Sequence, residues 1–291
     1  MYKLVAIDLD GTLLNSVGEV SEKTRKILLE AKEKGVEVVL ASGRPIDTTK
    51  NFALELGVDN YIISGNGAVV YDVKNDEVIL DRFISKEQIL RIVDICESNS
   101  IFYNIYTEDE VITKALSYNV LFYHKENIKK PEEKRTRINV VEDVKKYILE
   151  SNKDKFLKVT VCDESKMIFN GIIRKLKEIP DIDILNVEHM SKKQIKIGTK
   201  DYTIEYHYTE ITNKDVNKWT AIEFLMDKLN LSRGEVAAIG DNNNDFEMVK
   251  NAGLGIVTAN GNPYMKENAD VVVADNNSDG VCEAFEKYIL N

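Results

Sequence analysis

Two aspartates stand two apart in AIDLDGTLL (residues 6–14): Asp8 and Asp10, followed at once by Gly11 and Thr12. The apolar residues around them (Leu4, Val5, Ala6, Ile7, Leu9) read as a buried strand. In a strand, residues i and i+2 share a side, so Asp8 and Asp10 are expected to face one place. Adjacent carboxylates are costly unless a cation neutralises them or one keeps a proton. A hard divalent ion with oxygen ligands, such as Mg²⁺, would do the first. The plainer alternative is a pair of capping aspartates in a glycine-containing turn.

The arrangement recurs in AAIGDNNND (237–245), where Gly240 and Asp241 end an apolar run and Asn244 and Asp245 open a helix. An ordinary Asp/Asn helix cap would also explain it. Two carboxylate-bearing ends on neighbouring parallel strands would converge on one metal, with Asp245 supporting Asp241 from the first helical turn. In ASGRP, Ser42 ends a strand just before a helix N-terminus. A hydroxyl and free N–H groups there can hold a phosphate, or the serine can simply cap the helix. In TNKDVNKWTAIEFL, Lys218 opens an amphipathic helix, against the positive end of its macrodipole. A bound anion would account for that; Lys214 competes for the role, and a surface lysine explains either.

The elements that must position these groups alternate. Strand 3–8 is followed by a helix from Ser21 to about Lys34, strand 36–41, a helix beginning at Pro45 and ending near Gly57, and strand 61–64. Asn66-Gly67 then turns the chain into a hairpin. Strands and helices joined by short connections imply a parallel sheet covered on both faces, which binds ligands at the carboxyl ends of its strands. From about 84 to 207 the texture changes to an α+β pattern: helix 86–98, strand-like runs around an acidic turn, a solvated mixed-charge loop at 129–137, strand 156–162, a helix, and further strands. Alternation resumes with helix 217–229, strand 235–240, helix 243–251, strands 254–257 and 270–273, and helix 278–290. The simplest organisation is one α/β domain made from both ends of the chain, interrupted by an insert.

The remaining bulk properties exclude more than they assign. With 39 basic and 49 acidic residues in 291, the net charge of −10 argues against nucleic acid or an anionic membrane as partner. A signal peptide and a run long enough to span a bilayer are both missing, which favours a cytoplasmic protein. Cys96, Cys162 and Cys282 have no CxxC spacing and form no ligand cluster with His124, His189 and His207, so they read as small buried apolar residues.

DLDGT (8–12), SGR (42–44), Lys218 and GDNNND (240–245) occur in an order that resembles the four motifs of the haloacid dehalogenase superfamily, specifically its Cof-type subclass with a type IIB cap. The segment AGLGIVTANGNPYMKENADVVVADNNSDGV (252–281), with Asn260, and SGNGAVVYD are similar to further family signatures. The resemblance implies a Rossmann-like, doubly wound parallel-sheet core over 1–83 and 205–291 and an α+β cap over 84–204. It implies a phosphatase in which Asp8 is the nucleophile and Asp10 the general acid and base. Asp8, the backbone carbonyl of Asp10, and Asp241 would bind Mg²⁺, with Asp245 orienting the metal shell or Lys218. Ser42, Gly43, Lys218 and Asn244 would hold the phosphoryl group, and Arg44 would reach the substrate or simply be an exposed loop arginine.

Two residues depart from the family pattern: Ser42 replaces the commoner threonine, and Trp219 follows Lys218 where glycine is usual. The insert implies a small-molecule phosphate ester as substrate, a sugar phosphate before a phosphorylated cofactor, chosen by cap residues around Tyr103 to Tyr106 or His189. A sugar phosphomutase and a non-catalytic phosphometabolite-binding protein are the alternatives. A mutase would need a bisphosphate activator.

Overall fold

The computed structural model describes residues 2–129, 131–132, 135–185, 191–197 and 200–291, with backbone alone at 126, 129, 191–197 and 200–202. His189 lies outside the described residues. The chain divides into two units, Met1–Asp81 with Val216–Asn291, and Arg82–Asp215.

In the first unit, β1 (Leu4–Ile7) is buried at every position, as an apolar strand covered on both faces must be. It leads to α1 (Glu22–Glu33), whose N-terminus is closed by Ser21 accepting the N–H of Thr24. β2 (Glu37–Ala41) and α2 (Ile46–Leu56) follow; Pro45 caps α2 from outside instead of forming its first residue. β3 (Tyr61–Ser64) turns through Gly65–Gly67 into β4 (Val69–Asp72), which pairs antiparallel with it and with β5 (Glu77–Asp81).

The second unit opens with α3 (Lys86–Ser98), β6 (Phe102–Thr107) and β7 (Val111–Thr113). Next come α4 (Tyr118–Lys129), β8 (Ile138–Val140) and α5 (Val144–Glu150), which the sequence pattern did not announce. β9 (Phe156–Asp163), α6 (Lys166–Leu176), β10 (Ile182–Ile184), β11 (Ser191–Ile197) and β12 (Lys200–Asn213) complete it. The strands form a mostly antiparallel sheet in the order β10, β12, β9, β6, β7, β8, with β11 on β12. Its strands alternate: Ile105, Val159 and Val161 belong to an apolar core with Ile92 and Phe169 of the helices, while Asn104, Lys158 and Thr160 point to the other face. Because β12 runs unbroken to Asn213, the second boundary falls at 215/216 and not at 204/205.

The chain then returns to the first sheet through α7 (Lys218–Leu229), β13 (Val236–Gly240), α8 (Phe246–Asn251), β14 (Leu254–Thr258), α9 (Pro263–Glu267), β15 (Val271–Val273) and α10 (Gly280–Ala284). The eight strands lie in the order β15, β14, β13, β1, β2, β3, β4, β5, parallel from β15 to β3. From β1 the chain winds first toward β3 and later, from β13, toward β15. That reversal at β1 opens a crevice at the carboxyl ends of β13, β1 and β2. Trp219, in the glycine's usual place, is buried in the core with Ile63, Val70 and Ile222, so it fills space beneath the sheet. Among the described residues the three cysteines are buried and form no disulfide, and no helix is long and apolar enough to cross a membrane.

Candidate active site

Three neighbouring parallel strands end together. Ile7 of β1 is level with Ile239 of β13 and Leu40 of β2, so Asp8, Asp241 and Ser42 all emerge at one edge. Asp8 is nearly buried there, its N–H bonded to the Ile239 carbonyl at 3.0 Å. β1 stops at Ile7, however, so the two-residue strand period does not reach Asp10. Asp10 sits in the following turn, and its carboxylate is not one of the three that gather.

Those three are Asp8, Asp241 and Asp245, whose carboxylate oxygens lie within 4.8 Å of one another. Lys218, the first residue of α7 and 0% exposed, links two of them: its Nζ donates to Asp8 Oδ1 at 2.5 Å and to Asp245 Oδ1 at 2.6 Å. Asp245 Oδ2 accepts the N–H groups of Asp241 (3.0 Å) and Asn242 (3.1 Å), which ties the β13 turn to the lysine. Thr12 donates its hydroxyl to Asp241 Oδ1 at 2.8 Å. Lys214, the competing lysine, belongs to the other unit, is largely exposed and lies 3.9 Å from Asp181.

One ammonium against three carboxylates leaves the cluster short of positive charge. Burial pushes the Asp8 carboxyl well above its ordinary range; Asp245, Asp241 and Asp10 push the same way, and Lys218 opposes them. Burial and the Asp245 charge raise Asp241 to about 7. Burial disfavours the charged form of Lys218, yet Asp245 and Asp8 hold its pKa above the ordinary lysine value. Among the described residues, Asp8 Oδ2 and Asp241 Oδ2 accept no hydrogen bond, whereas both oxygens of Asp245 are engaged. Hard oxygen donors, excess negative charge and two oxygens without a protein donor fit a divalent cation such as Mg²⁺. Asp8 and Asp241 would supply side-chain ligands, and Asp245 would steady them.

Glycine is required at two of the turns. Gly11 has φ +89, and a Cβ there would fall 2.6 Å from Asp241 Oδ2. Gly67 has φ +104, and a Cβ there would meet the Asn217 carbonyl oxygen at 2.1 Å. The Gly65–Gly67 turn therefore lies against the cap of α7, where the Asn217 side chain accepts the Thr220 N–H at 3.0 Å.

On the β2 side, Ser42 is buried and its Oγ accepts the Arg44 N–H at 3.1 Å across Gly43. The Ser42 carbonyl accepts the Asn66 N–H at 3.0 Å, and Asn66 Oδ1 accepts from Asn244 Nδ2 at 3.0 Å. Asn66 thus connects the Ser42 loop to the Asn244 loop. In the sequence Asn66 reads as a hairpin residue within SGNGAVVYD; the structure adds its φ of 60 and its burial in a polar turn. Thr12, the last residue of DLDGT, carries no role in the sequence pattern and here holds Asp241. Asn260 donates to the Gly11 carbonyl at 2.7 Å and accepts from the Asn276 N–H at 3.0 Å, so the C-terminal segment braces the turn after Asp10. Arg44 neither joins the carboxylate cluster nor stays a free loop residue: it pairs with Asp10 through two hydrogen bonds.

A strand-end carboxylate pair, a buried lysine and a hydroxyl on one crevice of a parallel sheet define a hydrolase of the phosphoryl-transfer kind. Residues 5–285 match the family described as haloacid dehalogenase-like hydrolase, and the chain belongs to that family. The phosphatase YwpJ of Bacillus subtilis is 28% identical over 99% of this chain and 100% of its own. The 5-amino-6-(5-phospho-D-ribitylamino)uracil phosphatase YcsE of the same organism is 25% identical over 99% and 96%. The crystal structure of TM0651 from Thermotoga maritima superposes with a TM-score of 0.74 at 26% identity, over 99% and 97%. The enzyme class is phosphoric monoester hydrolase.

Proposed function

We propose that this protein is a cytoplasmic, Mg²⁺-dependent phosphatase of small phosphorylated metabolites, sugar and polyol phosphates first, working through an aspartyl-phosphate on Asp8. The observation that carries the reading is the buried Lys218 bridging Asp8 and Asp245 at the carboxyl end of β1. A lysine held there orients the Asp8 carboxylate and presents positive charge where phosphoryl oxygens would gather. The bound Mg²⁺, held by Asp8 and Asp241, would offset negative charge on the transferring group.

In the first step a carboxylate oxygen of Asp8 forms a bond to phosphorus while the ester P–O bond breaks, and Asp10 gives its proton to the departing alkoxide oxygen. In the second step Asp10 takes a proton from water as its oxygen attacks phosphorus. The P–O bond to Asp8 breaks, releasing phosphate and restoring both aspartates. Ser42, Gly43 and Asn244 steady the phosphoryl oxygens. Selectivity is assigned to the Arg82–Asp215 unit. The ribityl phosphate named for the relative YcsE supports a polyol or sugar phosphate as the class. No nucleic acid or membrane partner enters this reading.

The test is release of inorganic phosphate from p-nitrophenyl phosphate and a panel of sugar and polyol phosphates, with and without Mg²⁺. Metal-dependent turnover that vanishes in Asp8→Asn supports the assignment. Turnover that survives Asp8→Asn, or an isomer formed without free phosphate, contradicts it.

A further inference from the structure

The pairing of Asp10 with Arg44 has a geometry that the SGR segment (42–44) alone would not suggest. Arg44 Nε donates to Asp10 Oδ2 at 2.7 Å and Nη2 donates to Oδ1 at 2.5 Å, so the guanidinium fork grips both oxygens. The Asp10 side chain is 57% exposed, and the Arg44 side chain only 15%. The arginine fork sits on both oxygens of the aspartate. Asp10 follows the end of β1 and precedes Gly11 at φ +89, where an unrestrained side chain would sample several rotamers.

Arg44, by contrast, is fixed at both ends. Its N–H is bonded to Ser42 Oγ at 3.1 Å and its carbonyl to the Gly65 N–H at 3.1 Å. Its guanidinium carbon lies 5.6 Å from the ring centroid of Phe52, on α2. The rigid part of this pair is the arginine.

We infer that Arg44, backed by Phe52, is a positioning residue that sets the direction of the Asp10 carboxylate toward the leaving oxygen. The inference rests on the phosphatase reading above. A planar fork fixes a carboxylate in its own plane, which a lysine cannot do. A carboxylate has about four lone-pair sites and the fork uses two, so a proton can be carried on a remaining site and passed to the leaving oxygen while the group is held. Direct contact of Arg44 with the phosphoryl group is the rival, and leaving-group dependence separates the two. The phosphoryl group is common to every ester, whereas help from a general acid matters little for a good leaving group and greatly for a poor one.

The experiment measures kcat/KM, which ends at leaving-group departure, for p-nitrophenyl phosphate, phenyl phosphate and glycerol 3-phosphate. The enzymes are wild type, Arg44→Lys, Phe52→Leu, Asp10→Asn and the Arg44→Lys/Asp10→Asn double variant, each checked for cooperative thermal unfolding. General acid catalysis contributes typically 10²–10⁴-fold, so misdirection should cost Arg44→Lys about 30-fold on glycerol 3-phosphate and about 3-fold or less on p-nitrophenyl phosphate. Phe52→Leu should show the same slope at smaller amplitude, and the double variant should be no worse than Asp10→Asn on glycerol 3-phosphate. Equal loss across the three esters, or no loss, overturns the inference. A wild-type enzyme that cleaves none of the three refutes the phosphatase reading itself.

Discussion

Lys218 Nζ lies 2.5 Å from Asp8 Oδ1, although 210 residues separate the two in the chain. The contact closes the first unit on itself, since α7 follows the inserted unit and β1 opens the chain. It also places a buried cation on the proposed nucleophile.

Replacing that cation should expose the cost of what it neutralises. Lys218→Met leaves Asp8 and Asp245 facing each other without it. Loss of one partner of a buried pair typically costs about 3–5 kcal/mol, and urea unfolding in chelator should show a loss of that order. Phosphate release should fall about 10²–10³-fold. Saturating Mg²⁺ should recover part of the stability and little of the rate.

Gly11→Ala tests the tightness of the DLDGT turn. With φ +89 and a Cβ only 2.6 Å from Asp241 Oδ2, the variant must shift the carboxylate proposed to bind Mg²⁺ as well as bear backbone strain. Strain of this kind costs about 1–3 kcal/mol. Calorimetric titration with Mg²⁺ should show weaker binding, whereas Gly18→Ala, also at positive φ but with open space around it, should lose stability alone.

The pH dependence has a definite sign. Asp241 is raised from its ordinary value of 3.8 to about 7 in the folded, metal-free protein, so folding strengthens its hold on a proton. The stability this contributes is complete below the unfolded pKa and is lost as pH climbs through about 7. In chelator, thermal stability of the wild type should therefore decline from pH 5 to 8 more steeply than that of Asp241→Asn. Equal slopes would show that Asp241 does not carry the effect.

Much of the site was legible because its signals are local. Buried apolar runs ending on Asp8, Ser42 and Asp241 identify strand ends whatever the rest of the chain does. What local signals leave open is longer in range. The choice between Lys218 and Lys214 depends on which is buried, and that is decided by α7 packing on the first sheet. That Asp8 and Asp10 face one place follows from the strand period only if the strand runs through residue 10; it ends at Ile7, and Arg44, which grips the Asp10 carboxylate, lies 34 residues away. In the insert, α4 has no clear apolar stripe in YNVLFYHKENIK and was passed over. β12 mixes polar and apolar residues over its 14 positions, so its end at Asn213 is not legible in the sequence pattern.

Trapping decides whether Asp8 carries the phosphoryl group. The enzyme is acid-quenched during turnover of p-nitrophenyl phosphate with Mg²⁺, reduced with borohydride and digested, and the peptide spanning residues 4–23 is read by mass spectrometry. An aspartyl-phosphate at Asp8 appears as homoserine at position 8, absent without substrate. Sustained turnover with an unmodified Asp8, or reduction at another carboxylate, would contradict the mechanism.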